Sequence, residues 1–136
     1  MPYVHRVAVA PADIDELDHA SNVSYVRWIQ DAAVAHSTAV GLDVAAYRAR
    51  GAVFVVVRHE IDYRRPALLG DALDVETRVC AMGTATSERR TVIRRAEDGV
   101  ELARAVTRWA HVDLARGRPT RIPDDVRTRF AIDPIP

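Results

Sequence analysis

The sequence predicts an α+β fold in which one long helix lies across an antiparallel sheet. Two observations lead to this class. A helix-periodic segment of about five turns comes early in the chain, and long segments in which apolar and polar residues alternate follow it. No Gly-, Ser- or Pro-rich linker divides the 136 residues, so we expect a single domain over residues 1–136. A helix followed by a run of strands is typical of an α+β domain.

The first half of the chain is predicted to contain one strand and two helices. Residues 3–10 are rich in valine and stop at Pro11, which indicates a strand. The long helix is predicted over residues 22–40, whose periodic apolar face comprises Val26, Ile29, Ala33 and Val40. Residues 44–50 are predicted to form a short second helix that ends at Gly51.

The second half is predicted to be a run of antiparallel strands. Residues 53–64 have period two, and one face of this strand is predicted to carry Val53, Val55, Val57, His59, Ile61 and Tyr63. Three consecutive strands that form a meander are predicted over residues 73–80, 86–96 and 100–114. The hairpin signal Asp98-Gly99 joins the last two. A short terminal helix is predicted over residues 123–130.

The charge balance argues against a large electrostatic partner surface. Nineteen basic residues, all arginine, cancel nineteen acidic ones, so no nucleic-acid partner is expected. The first residues lack the long apolar h-region typical of a signal peptide, and no run approaches the ~18 apolar residues of a membrane span. The lone Cys80 cannot form an internal disulfide, and we treat it as structural. We therefore expect a cytoplasmic protein that does not insert into a membrane.

The polar segment before the long helix is the candidate site. It contains Asp13, Asp15, Asp18 and His19, and the helix begins at Asn22. The first N–H groups of a helix lack intrahelical partners and can face an oxyanion. A carboxylate such as Asp15 beside those donors is what hydrolysis of an activated acyl group needs. The alternative is that the aspartates only hydrogen-bond loop backbone.

Three motifs, which together extend along nearly the whole chain, point to one family. They are Asp15-x-x-x-His19-x-x-Asn22-x-x-Tyr25 with Arg27-Trp28, the segment 54–66 with Leu69-Gly70-Asp71, and the segment 109–114 with 121–123. They resemble hotdog-fold thioesterases, above all the 4-hydroxybenzoyl-CoA thioesterase-like family. The resemblance implies a hotdog fold, with a long central helix wrapped by a curved antiparallel β-sheet. It also implies a homodimer or homotetramer with active sites shared across the dimer interface.

The resemblance also implies roles for individual residues. Asp15 would act as nucleophile or general base, and a backbone N–H near Asn22 would polarise the carbonyl of an acyl-CoA or acyl-carrier-protein thioester. His19 could position water or the substrate carbonyl, or it could simply cap a backbone group. The candidate substrate-binding residues are Tyr25, His59 and Tyr63, with Tyr25 expected to pack toward the pocket floor. Asp18 stands where many relatives carry glycine, and Ser21 where many carry asparagine.

Cofactors and metals are not expected. Coenzyme A is part of the substrate, and the scattered positions of His5, His36, His59 and His111 lack the paired spacing of metal ligands.

A group of arginines leaves two interpretations open. Some of those at 89, 90, 94, 95, 104 and 108 could hold coenzyme A phosphates, but a solvated, ion-paired sheet face is favoured for most. Two rival functions also stay open: a hotdog hydratase or dehydratase, and a module that binds acyl-CoA without turning it over.

Overall fold

The computed structural model describes residues 2–134 and shows one long helix against an antiparallel sheet. The strands are β1 (Tyr3–Ala8), β2 (Ala52–Tyr63), β3 (Ala72–Met82), β4 (Thr86–Arg95), β5 (Glu101–Asp113) and β6 (Arg118–Pro119). The helices are α1 (Asn22–Ala39), α2 (Val44–Arg50) and α3 (Asp124–Arg127), and a 3₁₀ turn covers Pro11–Asp13. The predicted order of elements is therefore confirmed. The sequence did not indicate the 3₁₀ turn or β6, and α3 is shorter than predicted.

The sheet has the strand order β1-β3-β4-β5-β2, and β6 pairs with the end of β5. All pairings are antiparallel, and β3, β4 and β5 form the predicted meander. The twelve-residue strand β2 pairs only with β5 and occupies one edge. Its outer backbone groups are therefore open for pairing with another strand.

Helix α1 packs an aromatic and alanine face onto the sheet. Its buried residues are Ser24, Tyr25, Trp28, Ile29, Ala32 and Ala33, which pack over Leu73, Val75, Ile93 and Leu102 of the core. Of the predicted apolar face, Ile29 and Ala33 are buried and Val40 packs half-buried against the cluster that contains Leu42 and Phe130, whereas Val26 is only half-buried. The rings of Tyr25 and Trp28, 5.3 Å apart between centroids, supply the bulk of the buried face. Within residues 2–134, no helix has the length and apolar character required to cross a membrane.

Register shifts interrupt three strand pairings: β2 with β5, β3 with β4, and β4 with β5, the last between Ile93 and Arg94. The register of β2 against β5 shifts between Val56 and Arg58, so the single face predicted from Val53 to Tyr63 does not persist. Val55 and Val57 are 40% and 55% exposed, whereas His59 beyond the bulge is half-buried. A similar shift follows Val79 in β3. An extra residue on one strand changes which side chains face the core, and sequence alternation alone does not reveal it.

Candidate active site

The candidate site is built by a tight loop between β1 and α1. After the 3₁₀ turn, Ile14 and Ala20 form an antiparallel bridge. The N–H of Asp15 donates to the carbonyl of His19 at 3.0 Å, and the N–H of Ser21 donates to the carbonyl of Asp13 at 2.8 Å. These bonds close the loop on itself and hold residues 15–19 at the entrance to the helix.

Asp13 is the anchor of this loop. Its side chain is 2% exposed and accepts hydrogen bonds from Ser24 Oγ at 2.8 Å, from the Arg27 guanidinium and from the N–H of Ala10 at 2.9 Å. Burial alone would raise the pKa of Asp13, but the bonds from Ala10, Arg27 and Ser24 outweigh it and hold the pKa below its usual value. The charged side chain of Asp13 therefore links the loop to the first turn of α1.

Asp15 is held differently. It is half-buried, and its Oδ1 accepts the N–H of Leu17 at 2.9 Å. Within residues 2–134 its Oδ2 makes no hydrogen bond. One carboxylate oxygen is thus fixed by the loop, and the other is available to a ligand or to water.

The start of α1 leaves a backbone donor open. Ser21 is the N-cap, and its Oγ accepts the N–H of Val23 at 3.2 Å. In the described part of the chain the N–H of Asn22 has no acceptor. Such an open donor at the positive end of an 18-residue helix can stabilise a developing oxyanion.

Two of the candidate substrate-binding residues lie beside this helix end. The Tyr63 hydroxyl donates to the carbonyl of Asn22 at 3.4 Å, and its ring meets that of Tyr25 edge to face at 5.1 Å. The Tyr25 hydroxyl is occupied, because it accepts the N–H of Ala67 at 2.9 Å and donates to the carbonyl of Arg65 at 3.4 Å. Tyr25 therefore positions its neighbours and has no spare proton to donate to a ligand.

The two histidine candidates have internal partners. His59 places Nδ1 2.9 Å from Thr107 Oγ1, and burial lowers the pKa of His59. His19 is half-buried, with Nδ1 3.5 Å from the carbonyl of Ala20. At that length the contact is weak, so the His19 ring has little to fix it within the loop.

A cavity lies away from Asp15, among the described residues. It has a volume of about 310 Å³ and is enclosed by the second half of α1, by α2 and by the inner face of the sheet. Its walls include Val34, Leu42, Tyr47, Val53, Phe54, Val79, Arg89, Trp109 and Phe130. The candidate catalytic and substrate-binding residues do not line it, but Arg89, one of the arginines considered for coenzyme A phosphates, does.

Arg89 corrects the expectation of a solvated arginine face. It is only 5% exposed, and its Nη1 donates to His36 Nδ1 at 2.9 Å and to Thr77 Oγ1 at 3.3 Å. Burial lowers the pKa of Arg89 to about 10. Arg89 shares one face of β4 with Ser87, Thr91 and Ile93, since all four are spaced by two residues. This spacing could have placed Arg89 on the inner face.

The other arginines of that group behave as the favoured interpretation expects. Arg94 pairs with Glu76, Arg95 with Asp71 and Asp98, and Arg104 with Glu101. Arg90 and Arg108 are exposed on the outer face. Residues 2–134 contain no group of three or more acidic, histidine or cysteine side chains placed to hold a metal.

Cys80 is buried near the end of β3. Its thiol donates to the carbonyl of Glu88 at 3.3 Å, and burial, together with the Glu88 side chain, raises its pKa. A thiol whose pKa is raised has little thiolate at neutral pH and is a poor nucleophile.

Comparison with known proteins shows the family of the chain. A family model described as the thioesterase-like superfamily matches residues 9–130. The chain belongs to this superfamily. It is 27% identical over 114 residues to the chloroplastic palmitoyl-acyl carrier protein thioesterase of Gossypium hirsutum, a match that covers 79% of this chain and 28% of that protein. The chain spans about a third or less of the length of the curated relatives it matches.

Solved structures share the fold over almost the whole chain. A 1,4-dihydroxy-2-naphthoyl-CoA thioesterase from Synechocystis superposes with a TM-score of 0.87 at 21% identity and covers 95% of each chain. Protein SAV2348 of Staphylococcus aureus, solved in complex with CoA, gives 0.88 at 16% identity and covers 95% of this chain and 81% of that one. The fold is the hotdog fold, which confirms the class expected from the motifs.

Proposed function

We propose that this protein hydrolyses acyl thioesters of coenzyme A or of an acyl-carrier protein, at the junction of the Asp15 loop and α1. The proposal is carried by two groups at this junction. One carboxylate oxygen of Asp15 has no partner among residues 2–134, and the N–H of Asn22 at the start of α1 is also open. Membership of the thioesterase-like superfamily supports it, as does the CoA complex of SAV2348.

The reaction proceeds by addition and elimination at the thioester carbonyl. Asp15 takes a proton from water as the water oxygen bonds to the carbonyl carbon, and the carbonyl oxygen becomes an oxyanion held by the N–H of Asn22. The tetrahedral intermediate then expels the thiolate. The thiolate recovers the proton from Asp15, so the products are a carboxylic acid and a free thiol.

A nucleophilic role for Asp15 is the second route. Attack of its free oxygen on the carbonyl would expel the thiolate and form a mixed anhydride, which water then hydrolyses. A single turnover in ¹⁸O-labelled water reveals the anhydride route when water attacks the anhydride at the Asp15 carbonyl. Direct attack by water puts the label only in the released acid, whereas hydrolysis at the Asp15 carbonyl of the anhydride puts it in Asp15.

We infer that two copies pair along β2 to complete the site. Strand β2 is an open edge with Val55 and Val57 exposed, and an exposed apolar edge is normally covered. A two-fold pairing of β2 with its copy would cover both edges at once. This assembly agrees with the homodimer that the sequence resemblance implies, and tetramers would require a further contact.

The proposal is tested by measuring thiol release from a panel of acyl thioesters of different chain length and aromatic content. Each acyl group is offered on coenzyme A and on acyl-carrier protein. Turnover of at least one ester supports the proposal, and the panel defines chain length and carrier. If the protein binds acyl-CoA but releases no thiol from any ester, the binding-module alternative replaces it.

A further inference from the structure

The interior cavity has an excess of hydrogen-bond donors. Arg89 is buried in its wall, and among residues 2–134 no carboxylate lies within salt-bridge distance of its guanidinium. The indole N–H of Trp109 is also buried in the wall and has no hydrogen-bond partner in the described structure. An unpaired buried donor is costly, and an unpaired buried charge costs more.

The partners that Arg89 does have leave its charge uncompensated. A guanidinium can only donate, so His36 Nδ1 must accept its bond, and His36 is then neutral with its proton on Nε2. Thr77 is also neutral. Phe130 lies under the guanidinium, with 5.6 Å between Cζ and the ring centroid. These contacts orient the side chain but supply no negative charge.

Strand register places the uncompensated charge of Arg89 and the unpaired indole N–H of Trp109 on one wall. Ser87 pairs with Trp109, and Arg89 pairs with Thr107 on the same two strands, so Arg89 and Trp109 are diagonal neighbours on the inner face. The remaining wall is mainly apolar and includes Leu42, Val53, Val79 and Phe130. The cavity volume of about 310 Å³ lies at the small end of the usual range for ligand pockets.

We propose that this cavity binds a carboxylate on an apolar chain, with its oxygens on Arg89 and the indole N–H of Trp109 and its chain against Leu42, Val53 and Phe130. A carboxylate supplies the negative charge and the acceptors that the wall lacks, since both of its oxygens accept hydrogen bonds. A phosphate fits less well, because the apolar wall would leave part of its charge and its other oxygens unpaired. The inference goes beyond the proposed hydrolysis and does not depend on it.

Two sources share this chemistry: a free fatty acid and the distal carboxylate of a dicarboxylic acyl group. The probes are octanoate, its neutral match octanamide, and the mono-N-methylamide of suberic acid, a stand-in for a dicarboxylic acyl group that has no thioester to hydrolyse. Each is titrated calorimetrically into the full chain at pH 7.5. We expect at least one carboxylate probe to bind ~10-fold or more tighter than octanamide, as expected for a charge-assisted bond in a buried site. The tighter of the two carboxylates identifies the source.

Three variants test whether the carboxylate binds at Arg89 inside this cavity. Arg89→Met should reduce the carboxylate affinity to that of octanamide and leave octanamide binding unchanged. Arg90→Met is the matched control, because Arg90 is the next residue on β4 and is exposed on the opposite face. It should bind like the parent. Val34→Trp, at the partly exposed rim of the cavity, should block both ligands without touching the guanidinium.

Four results would overturn the proposal. On the parent, these are equal affinity of octanoate and octanamide with no preference for the suberate probe, or no saturable binding of any probe. On the variants, they are a carboxylate preference that survives Arg89→Met, or parent-like carboxylate binding in Val34→Trp. If Arg89→Met does not fold, the probe comparison on the parent and the Val34→Trp variant still decide the question. None of these measurements requires turnover, so an inactive thioesterase would leave them intact.

Discussion

Ser24 donates a 2.8 Å hydrogen bond to the carboxylate of Asp13, eleven residues earlier in the chain. This bond joins the buried end of the loop to the first turn of α1, and Arg27 reinforces it one turn later. Asp15, only two residues from Asp13, makes its side-chain bond to Leu17 inside the loop. The two carboxylates therefore have separate tasks: Asp13 stabilises the fold, and Asp15 is available for chemistry.

The first prediction concerns stability. Asp13→Asn should lower the free energy of unfolding by about 2 kcal/mol, because the buried hydrogen bonds lose their charged acceptor and an amide N–H₂ faces donors. The Arg27 contribution is modest, since that side chain is half exposed. Urea unfolding measures the change. Asp15→Asn is the matched variant and should stay within ~0.5 kcal/mol of the parent. Equal losses at both positions would contradict the division of tasks.

The second prediction concerns acid sensitivity. Burial, and then the charge of Arg89, lowers the pKa of His36 to about 4. The unfolded chain therefore binds a proton at this histidine between about pH 6.5 and 4 that the folded chain does not, so stability falls as the pH falls through that window. By pH 5 the loss from His36 should be roughly 1 to 2 kcal/mol, allowing for its partial exposure.

His36→Asn tests this assignment, because asparagine keeps an acceptor for Arg89 but does not titrate. Urea unfolding at pH 7.5 and pH 5 should show a smaller acid loss in the variant than in the parent, by that same amount. If the two proteins lose the same stability between these pH values, His36 is not the acid-sensitive group.

The third prediction concerns Asp18, which has φ of +63° and is the one non-glycine residue with positive φ among residues 2–134. Glycine takes this conformation without strain but gives the unfolded chain more freedom, so Asp18→Gly should change stability by less than ~0.5 kcal/mol. Asp18→Ala should be about 1 kcal/mol less stable than Asp18→Gly, because the Cβ of alanine disfavours a positive φ that glycine adopts freely. Thermal unfolding of the pair measures the difference. An alanine variant as stable as the glycine variant would contradict it.

The order and approximate bounds of the helices and strands could be predicted from the sequence because they depend on local patterns. Periodicity defines α1 almost to the residue, and the turn at Gly99 defines the β4–β5 hairpin. The bulge after Val56 could not be predicted, since it arises from how two strands pair. The motif around Asp15 indicated the loop, but which carboxylate is buried depends on Ser24 and Arg27 lying across from Asp13.

The interior cavity was missed for a different reason. An arginine on a strand is normally solvated, and only packing against α1 shows that Arg89 is buried against His36. The same holds for Trp109, whose indole N–H is unsatisfied only because of what surrounds it in three dimensions.

The fourth prediction concerns assembly. Light scattering at micromolar concentration should give at least the mass of a dimer. Val57→Arg, on the exposed part of the β2 edge, should shift the protein toward the monomer, because a charged side chain disfavours edge pairing. Val4→Arg is the matched control, since Val4 is similarly exposed but lies on β1 at the other edge. A monomeric parent would remove both the dimer and any active site shared by two subunits.

The final prediction tests the placement of the catalytic carboxylate. Asp15→Asn keeps the size and the bond to Leu17 but removes the charge that accepts a proton or attacks the carbonyl. General-base catalysis contributes typically ~10²- to 10⁴-fold, so kcat for thiol release should fall at least ~100-fold with binding little changed. Asp18→Asn should cost less than ~10-fold, because Asp18 is exposed in the loop. Asp13→Asn should also stay within ~10-fold when assayed well below its lowered melting temperature. If Asp15→Asn retains most of the activity, or if Asp13→Asn is the more damaging change in folded protein, the reacting carboxylate is not Asp15.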